Sequence, residues 1–571
     1  MRFPLLAAVA PLVLLAACAT APPEAGLATG PAPAGVKPTP GASPYGLFLA
    51  GQAALNDGRS REAAGFFDQA SVEGAENLMV RERAFNAAVL AGDLKRALAL
   101  EPTSEEASEA VKRLARLTRA VDNLASGDPK AARAGLAEGV GFPHRAAAAL
   151  LQPWAAAMAG DTDASLAKPE VRGDQVVDFF GRLGQARLFE RARRYDEAEA
   201  AYKALTDGAF PGEMILVAHG EFLERRGRRA DAVALYDKAL AEAPDADGVR
   251  LARARAAAGK SAPKAPTLRQ GAAEALLAPA AGMLAQKQEQ LALVYLRMVL
   301  HLDAERDEAW LLVGDVLAGA GDLEGARAAY RRPKPGSLSY GAAQSKLAWS
   351  YQQAEDPETA LSLARAAAAS GREDAQLTLA DLLRANDRHE EAVAVLSGLI
   401  ASKPEDWRLL YARGVSYERL KDWPRAQADL QAALKLEPDD PELLNYLGYS
   451  WIDRGERLAE ALAMVEKAVA TNPKSGAMVD SLGWAHYRLG DYKKAVERLE
   501  QAVELEAGDP EINNHLGDAY WRVGRRDEAM FQWRRVLTLD PDARIKADAE
   551  AKLASGLGPD GPAAAAKVAQ P

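Results

Sequence analysis

A spacing of about 34 residues recurs along most of this chain and limits it to a repeat fold. In the C-terminal third, glycines recur at nearly constant intervals, at Gly414, Gly448, Gly483 and Gly517. An alanine follows each glycine at nearly the same offset, at Ala426, Ala461, Ala495 and Ala529. The middle interval is slightly longer than the other two, and the insertion falls in the run 454–457, where a turn tolerates it. A unit of this length holds two helices and a turn, so the sequence predicts an all-α chain of repeated helical hairpins.

Each repeated residue has a mechanical role in such a hairpin. The glycine removes a side chain where the two helices approach closely, and the alanine does the same from the second helix. Large side chains such as Trp451 and Trp533 fill the remaining space, and Pro473 ends a second helix because proline lacks the amide donor. This pattern resembles the tetratricopeptide repeat over roughly residues 45–545. The resemblance implies an α-solenoid of about 12–14 hairpins, each of which buries its apolar face against its neighbours.

The alanine register can be followed on both sides of one interruption. It runs back from Ala426 to Ala292 at close to the same interval and, more weakly, from Ala232 to Ala63. The interval between Ala232 and Ala292 is much longer than one repeat, and a lysine- and proline-containing run falls in this gap. We therefore predict a degenerate N-terminal solenoid over 45–250 and a C-terminal solenoid over 272–545. A linker or irregular hairpin is expected between them, over 251–271. Residues 546–571 are expected to hold the end of a capping helix and an unstructured tail. The capping helix itself is expected over 543–555.

The N-terminus has the form of a bacterial lipoprotein signal. Met1 and Arg2 precede a short apolar stretch, which ends in Leu-Ala-Ala-Cys at Cys18, the only cysteine of the chain. This stretch is too short for a membrane-spanning helix, which needs about 20 residues. The pattern predicts removal of residues 1–17, lipidation of Cys18 and a disordered tether rich in Ala, Pro and Gly over 18–44. The alternative is an ordinary secretory signal with a chance cysteine. Ala19 favours the outer membrane, with the protein facing the periplasm.

The composition and motifs argue against two large classes of function. A net charge of −10 does not suit nucleic-acid binding, which depends on cationic contacts to phosphate. No His-Glu-x-x-His, glycine-rich phosphate loop or nucleophile elbow occurs in the sequence. His389 lies in a polar turn, and His486 stands where other repeats carry aromatic residues, so both are expected to be structural. The sequence thus predicts a protein without enzyme activity, cofactor or metal.

The resemblance also places the first helix of each hairpin on the concave surface, which implies a row of candidate binding residues. This row holds the positions three before, one after and four after each signature glycine. The candidate partner-binding residues are Tyr411, Asn445, Tyr449, Asp480, Trp484, Tyr487, Asn514, Asp518 and Trp521. Amides and carboxylates repeated in this way can hydrogen-bond an extended peptide, and Tyr and Trp give contact area at low entropy cost. The alternative is that they are ordinary residues of a helix surface. Tyr449, Trp484 and Tyr487 are expected to be exposed, which would favour a partner that covers them.

A lipid anchor, a tether and a solenoid without catalytic motifs together predict a membrane-tethered adaptor. In its length, its lipobox and the block 440–541, the chain resembles the tetratricopeptide lipoproteins that serve periplasmic carboxyl-terminal processing proteases. The resemblance implies such a protease and its peptidoglycan hydrolase substrates as partners. The alternative is a structural scaffold lipoprotein of an outer-membrane assembly, such as a polysaccharide-export or secretin complex. An enzyme whose site is assembled from distant residues is a third class.

Overall fold

The computed structural model describes residues 43–73, 77–137, 139–169, 171–207, 212–244, 246–369 and 371–558. Within these ranges it contains 30 helices and no strand. The predicted signal sequence, Cys18 and nearly all of the tether lie outside the described residues. The chain divides into two compact units, Met1–Lys112 and Arg113–Pro571.

The first unit is built from four helices and the start of a fifth. Their bounds are α1 Pro44–Asn56, α2 Ser60–Glu73, α3 Leu78–Ala91, α4 Leu94–Ala99 and α5 Glu109–Ser126. Helix α1 packs against α2, α2 against α3, and α3 against α4. The close approach of α1 and α2 depends on Gly51, because a Cβ atom there would lie 2.9 Å from the buried Phe67 ring.

The second unit contains the remaining helices and the rest of α5. The bounds before and at the register break are α6 Pro129–Ala137, α7 Arg145–Met158, α8 Thr162–Leu166, α9 Gln175–Arg191, α10 Tyr195–Thr206, α11 Glu213–Arg225, α12 Arg229–Glu242, α13 Asp247–Ala257, α14 Leu268–Ala285 and α15 Glu289–Leu302. Those that follow are α16 Asp307–Gly319, α17 Leu323–Tyr330, α18 Leu338–Gln352, α19 Pro357–Ala368, α20 Glu373–Ala385, α21 His389–Ser402, α22 Trp407–Arg419, α23 Trp423–Leu436, α24 Pro441–Arg454, α25 Leu458–Thr471, α26 Gly476–Arg488, α27 Tyr492–Leu505, α28 Pro510–Arg522, α29 Arg526–Val536 and α30 Ala543–Ser555.

From α14 to α29, consecutive helices pair as hairpins, and the hairpins stack on one another. The first helices α24, α26 and α28 also pack against each other in sequence, as do α16, α18 and α20. The apolar core runs along the stack between first and second helices, with Trp451 and Trp533 among its largest fully buried side chains. The predicted all-α solenoid of helical hairpins is confirmed.

Local sequence explains where the C-terminal helices begin and end. Asp440 and Asp509 cap the first helices α24 and α28 by accepting hydrogen bonds from amides of the first turn, and a proline follows each cap. Gly490 and Gly524 stand in the left-handed region, with φ of 84° and 86°, in the turn between the two helices of a hairpin. These caps and turns hold the first helices in a fixed orientation.

The long interval in the register consists of one unpaired helix and a coil. Helix α13 packs against α11 and α12 as the first helix of a repeat would, but residues 258–267 then follow without a second helix. The coil is held by Arg191 and Arg225, which donate hydrogen bonds to the carbonyl oxygens of Pro266 and Pro263 at 2.9 and 3.1 Å. Helix α14 then packs against α7, α9 and α15. The coil therefore lies against the first helices α9 and α11.

Candidate functional site

The signature residues set the distance between the two helices of each hairpin. A Cβ atom would lie 2.4 Å from the Trp533 ring at Gly517 and 2.6 Å from Leu499 at Gly483, but 3.0 Å from the nearest side-chain atom at Gly414 and Gly448. The second-helix alanines are fully buried opposite them, at Ala426, Ala461, Ala495 and Ala529. The glycine of each first helix faces its partner helix, and the predicted row lies beside the glycines, so that Tyr487 joins the core of its own hairpin.

The N-terminal members of the row pack against neighbouring first helices. Tyr411 is half-buried and meets Tyr446 edge-on, with ring centroids 5.4 Å apart. The Tyr449 hydroxyl reaches Glu511 of α28, two repeats further on, at 3.5 Å. Burial, together with the Glu511 carboxylate, raises the pKa of Tyr449. First helices two repeats apart therefore converge on this surface, as expected for the concave side of a solenoid.

An aromatic and ionic cluster joins α26 to α28. The Trp484 ring is stacked between Tyr487, with centroids 4.5 Å apart, and His515, with centroids 4.0 Å apart. Nδ1 of His515 lies 3.0 Å from both carboxylate oxygens of Asp480, and both side chains are almost fully buried. Although burial opposes it, the Asp480 carboxylate raises the pKa of His515, whereas burial raises the pKa of Asp480.

A second polar network joins α28 to the last helix. The Lys552 ammonium group donates to Asn514 Oδ1 at 3.1 Å and to Asp518 Oδ2 at 2.9 Å, and it also pairs with Asp548. Asp518 in turn accepts a hydrogen bond from Trp533 Nε1 at 3.1 Å. Trp521, another member of the row, donates to the carbonyl oxygen of Leu557 at 3.2 Å.

The expectation that the row exposes its aromatic side chains is wrong. Tyr487 is buried, and Tyr449 and Trp484 are half-buried, because the side chains of adjacent first helices cover them. Two buried row atoms nevertheless stay without a hydrogen-bond partner among the described residues: Asn445 Oδ1 and Trp484 Nε1. An unsatisfied buried polar atom costs about 1–3 kcal/mol, so such atoms are rare and call for an explanation. Partner binding by the row stays a prediction.

A larger opening lies at the register break. It has a volume of about 830 Å³ and is bounded by α9, α11, α13, α14, α16, α18 and the coil near Pro263 and Pro266. We refer to it as the central cleft. All six helices are first helices of their repeats or stand in that position, and Tyr202 of the second helix α10 adds to the wall, so most of the cleft belongs to the same inner surface as the row.

Paired charges build the floor of the central cleft. Arg187 pairs with Glu274, and both side chains are only 12% and 11% exposed. Arg225 forms two hydrogen bonds with the Glu190 carboxylate, at 2.7 and 2.9 Å. Burial lowers the pKa of Arg187, and it raises the pKa of Tyr202 in the cleft wall to about 12. Bidentate pairing of this kind fixes the Arg225 side chain in place.

Sequence reasoning missed this charged floor, although a signal for it exists. Arg187, Glu221 and Arg255 recur at the repeat interval. Glu221 follows the signature glycine Gly220, and alanine stands in place of that glycine before the two arginines. In the structure Arg255 pairs with Glu221 at 3.2 Å. Extending the row of candidate positions backwards through the weaker register would have found these residues.

Neither metal ligation nor a membrane span is seen in the parts of the chain that the structure describes. There, no group of three or more His, Cys, Asp or Glu side chains is placed to hold a metal ion. None of the helices described above combines the length and the hydropathy that a bilayer crossing requires.

The fold and its inner surface define a helical-repeat protein of the α-solenoid class. Models described as tetratricopeptide repeat match residues 183–247, 290–336, 345–406, 377–426, 411–476 and 510–543, and one described as TPR repeat matches 483–524. The chain belongs to the tetratricopeptide repeat proteins.

Known relatives share part of this chain. "TPR repeat-containing protein PA4667" of Pseudomonas aeruginosa is 37% identical over 139 residues, which are 24% of this chain and 23% of that protein. "BBSome complex member BBS4" of Bos taurus is 32% identical over 151 residues, 26% of this chain and 28% of that protein. The chain therefore matches only about a quarter of either relative. A chain in the crystal structure of the "APC/C hetero-tetramer Cut9-Hcn1" is 16% identical, with 90% of this chain and 96% of that chain covered and a TM-score of 0.37.

Proposed function

We propose that this protein is a non-catalytic scaffold, anchored to the outer membrane through Cys18, that holds other proteins on the inner surface of its solenoid in the periplasm. Its partners would be a carboxyl-terminal processing protease and the peptidoglycan hydrolases that the protease cleaves. The lipobox and the resemblance of block 440–541 to the adaptors of such proteases support this assignment. Tetratricopeptide repeats in general bind other proteins, which supports the coarser role of an interaction scaffold.

The observation that carries the proposal is the pair of unsatisfied polar atoms in the row. Asn445 Oδ1 is an acceptor and Trp484 Nε1 is a donor, and neither has a partner in the described part of the protein. They stand on α24 and α26, first helices that pack against each other. A peptide backbone offers one donor and one acceptor per residue, so an extended segment in the groove can satisfy both atoms when the half-buried side chains of Asn445 and Trp484 rotate to meet it.

A scaffold of this kind accelerates a reaction without taking part in its chemistry. Holding protease and substrate on one chain turns their encounter into an intramolecular event, with an effective concentration in about the millimolar range for short flexible links. A lipid anchor confines both to the membrane surface as well. Several acyl chains on one residue give stable attachment, whereas a single chain gives only marginal binding.

Affinity capture from cell envelopes, followed by mass spectrometry, tests the proposal. The wild-type chain is compared with the double variant Asn445→Ala, Trp484→Phe, since phenylalanine keeps a ring between Tyr487 and His515 but lacks the N–H group. The matched control is Asn472→Ala with Trp407→Phe, which removes the same groups outside the row. Helical circular dichroism verifies that both variants fold.

The outcomes separate the candidate functions. Recovery of a protease with its hydrolase substrates by wild type and control, but not by the row variant, supports the adaptor. Recovery of an export porin or a secretin would favour the structural scaffold instead. Equal recovery by the folded row variant would contradict binding through the row. Metabolic labelling with a radioactive fatty acid, compared between wild type and Cys18→Ser, tests the anchor separately, and label retained by the variant would contradict it.

A further inference from the structure

The central cleft is a product of the register break. Helix α13 lacks a second helix, and the coil that replaces this helix forms part of the cleft wall. At the start of α13, Asp247 lies 3.8 Å from Arg372, and a Cβ atom on Gly248 would lie 3.2 Å from Leu338 of α18. The start of α13 thus contacts α18 and the residue before α20, which follow it by two or more repeats, and it closes one side of the cleft.

The lining of the cleft is acidic. Seven carboxylate side chains and four cationic side chains line it. The N-termini of α11, α13, α16 and α18 also face it, and each offsets about half a negative charge, so roughly one third of the excess remains. Glu308, an exposed carboxylate at the mouth, makes no hydrogen bond or ion pair with the residues that the structure describes. A concave site with low-dielectric walls concentrates such a potential and attracts cations.

The mouth of the cleft also exposes large apolar side chains. Met214 on α11 is 37% exposed and Leu338 on α18 is 51% exposed, and both line the cleft together with the half-buried Leu311. A small soluble cation would leave these side chains in water. A chain that carries apolar groups beside its cations would cover them and remove their apolar area from water, which favours binding.

We infer that the central cleft binds an extended polypeptide segment in which lysine or arginine alternates with apolar residues. The cations of the segment meet Glu308 and the acidic lining, and its apolar side chains cover Met214 and Leu338. A volume of about 830 Å³ is within the range of about 300–1,000 Å³ usual for ligand sites. The inference rests on the proposed scaffold function and specifies the chemistry of one of its partners.

Fluorescence anisotropy with the full chain and labelled peptides tests this inference. The probes are a ten-residue peptide of alternating lysine and leucine and a peptide of the same length with glutamate in place of lysine. We expect the lysine peptide to bind at least tenfold more tightly than the glutamate peptide. Spermine serves as a competitor without apolar groups, and it should displace the lysine peptide only at a large molar excess.

Two triple variants locate the binding. The cleft variant Met214→Ser, Leu338→Ser, Glu308→Lys should bind the lysine peptide at least tenfold more weakly than wild type. The control variant Leu251→Ser, Leu436→Ser, Glu289→Lys makes matching chemical changes at exposed positions outside the cleft and should bind like wild type. All six side chains are exposed, so both variants should keep the helical spectrum of the wild type.

Each other result counts against the inference. Equal loss in both variants would mean that the peptide binds the acidic surface in general. Tight binding of the glutamate peptide, or full displacement by spermine at equimolar concentration, would contradict the proposed chemistry. In another outcome the cleft variant captures the same envelope partners as the wild type, while the full chain binds the lysine and glutamate peptides equally. This result would overturn the inference and leave the scaffold function intact. Specific peptide binding in the cleft without any captured partner would instead count against the scaffold function.

Discussion

Replacing Gly517 by alanine should destabilise the end of the solenoid, and the structure gives the size of the effect. The added Cβ atom would lie 2.4 Å from Nε1 and 2.6 Å from Cδ1 of Trp533. That ring is fully buried and its Nε1 donates to Asp518, so it cannot move without loss of a hydrogen bond. Overpacking of a core costs about 1–3 kcal/mol, whereas alanine gains about 1 kcal/mol of helix propensity over glycine. Because the contact is short and the hydrogen bond to Asp518 holds the Trp533 ring, we expect the free energy of unfolding to fall by about 2 kcal/mol.

Glycine-to-alanine changes at other positions should alter stability by different amounts, because the space around the added Cβ atom differs. At Gly414 the nearest side-chain atom, Cγ of Leu430, would lie 3.0 Å from the new Cβ, a contact that a small shift relieves. The change Gly414→Ala should therefore alter stability by less than about 1 kcal/mol in either direction. At Gly398, inside α21, nothing that the structure describes lies within 4 Å of the added atom. The control Gly398→Ala should stabilise its helix by up to about 1 kcal/mol.

Hydrogen exchange is the suitable assay because it reports each helix separately. A long repeat array does not unfold in one step, and each repeat depends mainly on its neighbours. A loss of about 2 kcal/mol corresponds to a roughly 30-fold lower protection factor, expected in α28 and α29 and not in α20 or α21. Unchanged protection of α28 and α29 in Gly517→Ala would refute the steric reasoning, as would an equal loss in Gly398→Ala.

Three further predictions follow from individual side chains. Because the folded pKa of His515 is raised, its ion pair with Asp480 should stabilise α28 fully below about pH 6.5 and lose this effect as the pH rises through the raised pKa. The protection factor of α28 should therefore fall as the pH is raised above about 6.5 in the wild type, and a fall of equal size in His515→Gln would contradict this. The change Lys552→Met leaves the buried Asp518 carboxylate without its cation and should cost about 3–5 kcal/mol, seen as loss of protection in α30, whereas Lys546→Met should have no effect. Lys421 has a φ of 60° at the turn position that glycine occupies in the three following repeats. Lys421→Gly should therefore raise the free energy of unfolding by about 0.5–1 kcal/mol. A lower melting temperature of this variant would count against strain at this turn.

The parts of the fold that could be predicted from sequence are those that repeat. The glycine of Gly517 and the alanine of Ala529 recur along the chain, and an apolar side chain recurs at the position of Trp533. They recur because the two helices of every hairpin must pack at the same short distance. The position of α30 follows in the same way, since its apolar residues continue the register after Pro541. The long interval before Ala292 could be detected as an irregularity, but its structure could not be derived, because Arg191 and Arg225 hold the coil from positions far away in sequence.

The chemistry of the inner surface was less predictable, because it depends on which first helices approach each other. Asp480 meets His515 one repeat later, and Tyr449 meets Glu511 two repeats later, so the curvature of the stack decides the partners. The periodic positions picked out side chains that meet across adjacent first helices, but they gave no indication that these helices would bury most of them. Lys552 illustrates the same point, because nothing in its local sequence marks it as the cation for Asn514 and Asp518.

Regular repeats and an irregular break therefore contribute differently to binding. Where the register is regular, each first helix lies beside the next at a constant offset, so polar side chains such as Asp480 and His515 find partners on the neighbouring helix and occupy the groove. Where the register breaks, the helix that would follow α13 is missing, and the helices around it are spaced by a coil that contributes few side chains. The floor of the cleft is still neutralised by paired residues such as Glu221, but its mouth keeps Glu308 unpaired among the described residues and Met214 exposed. In a solenoid whose first helices pair most of their own polar side chains, the interruption of the repeat leaves charge and apolar surface exposed together, which is why we propose that a partner binds there.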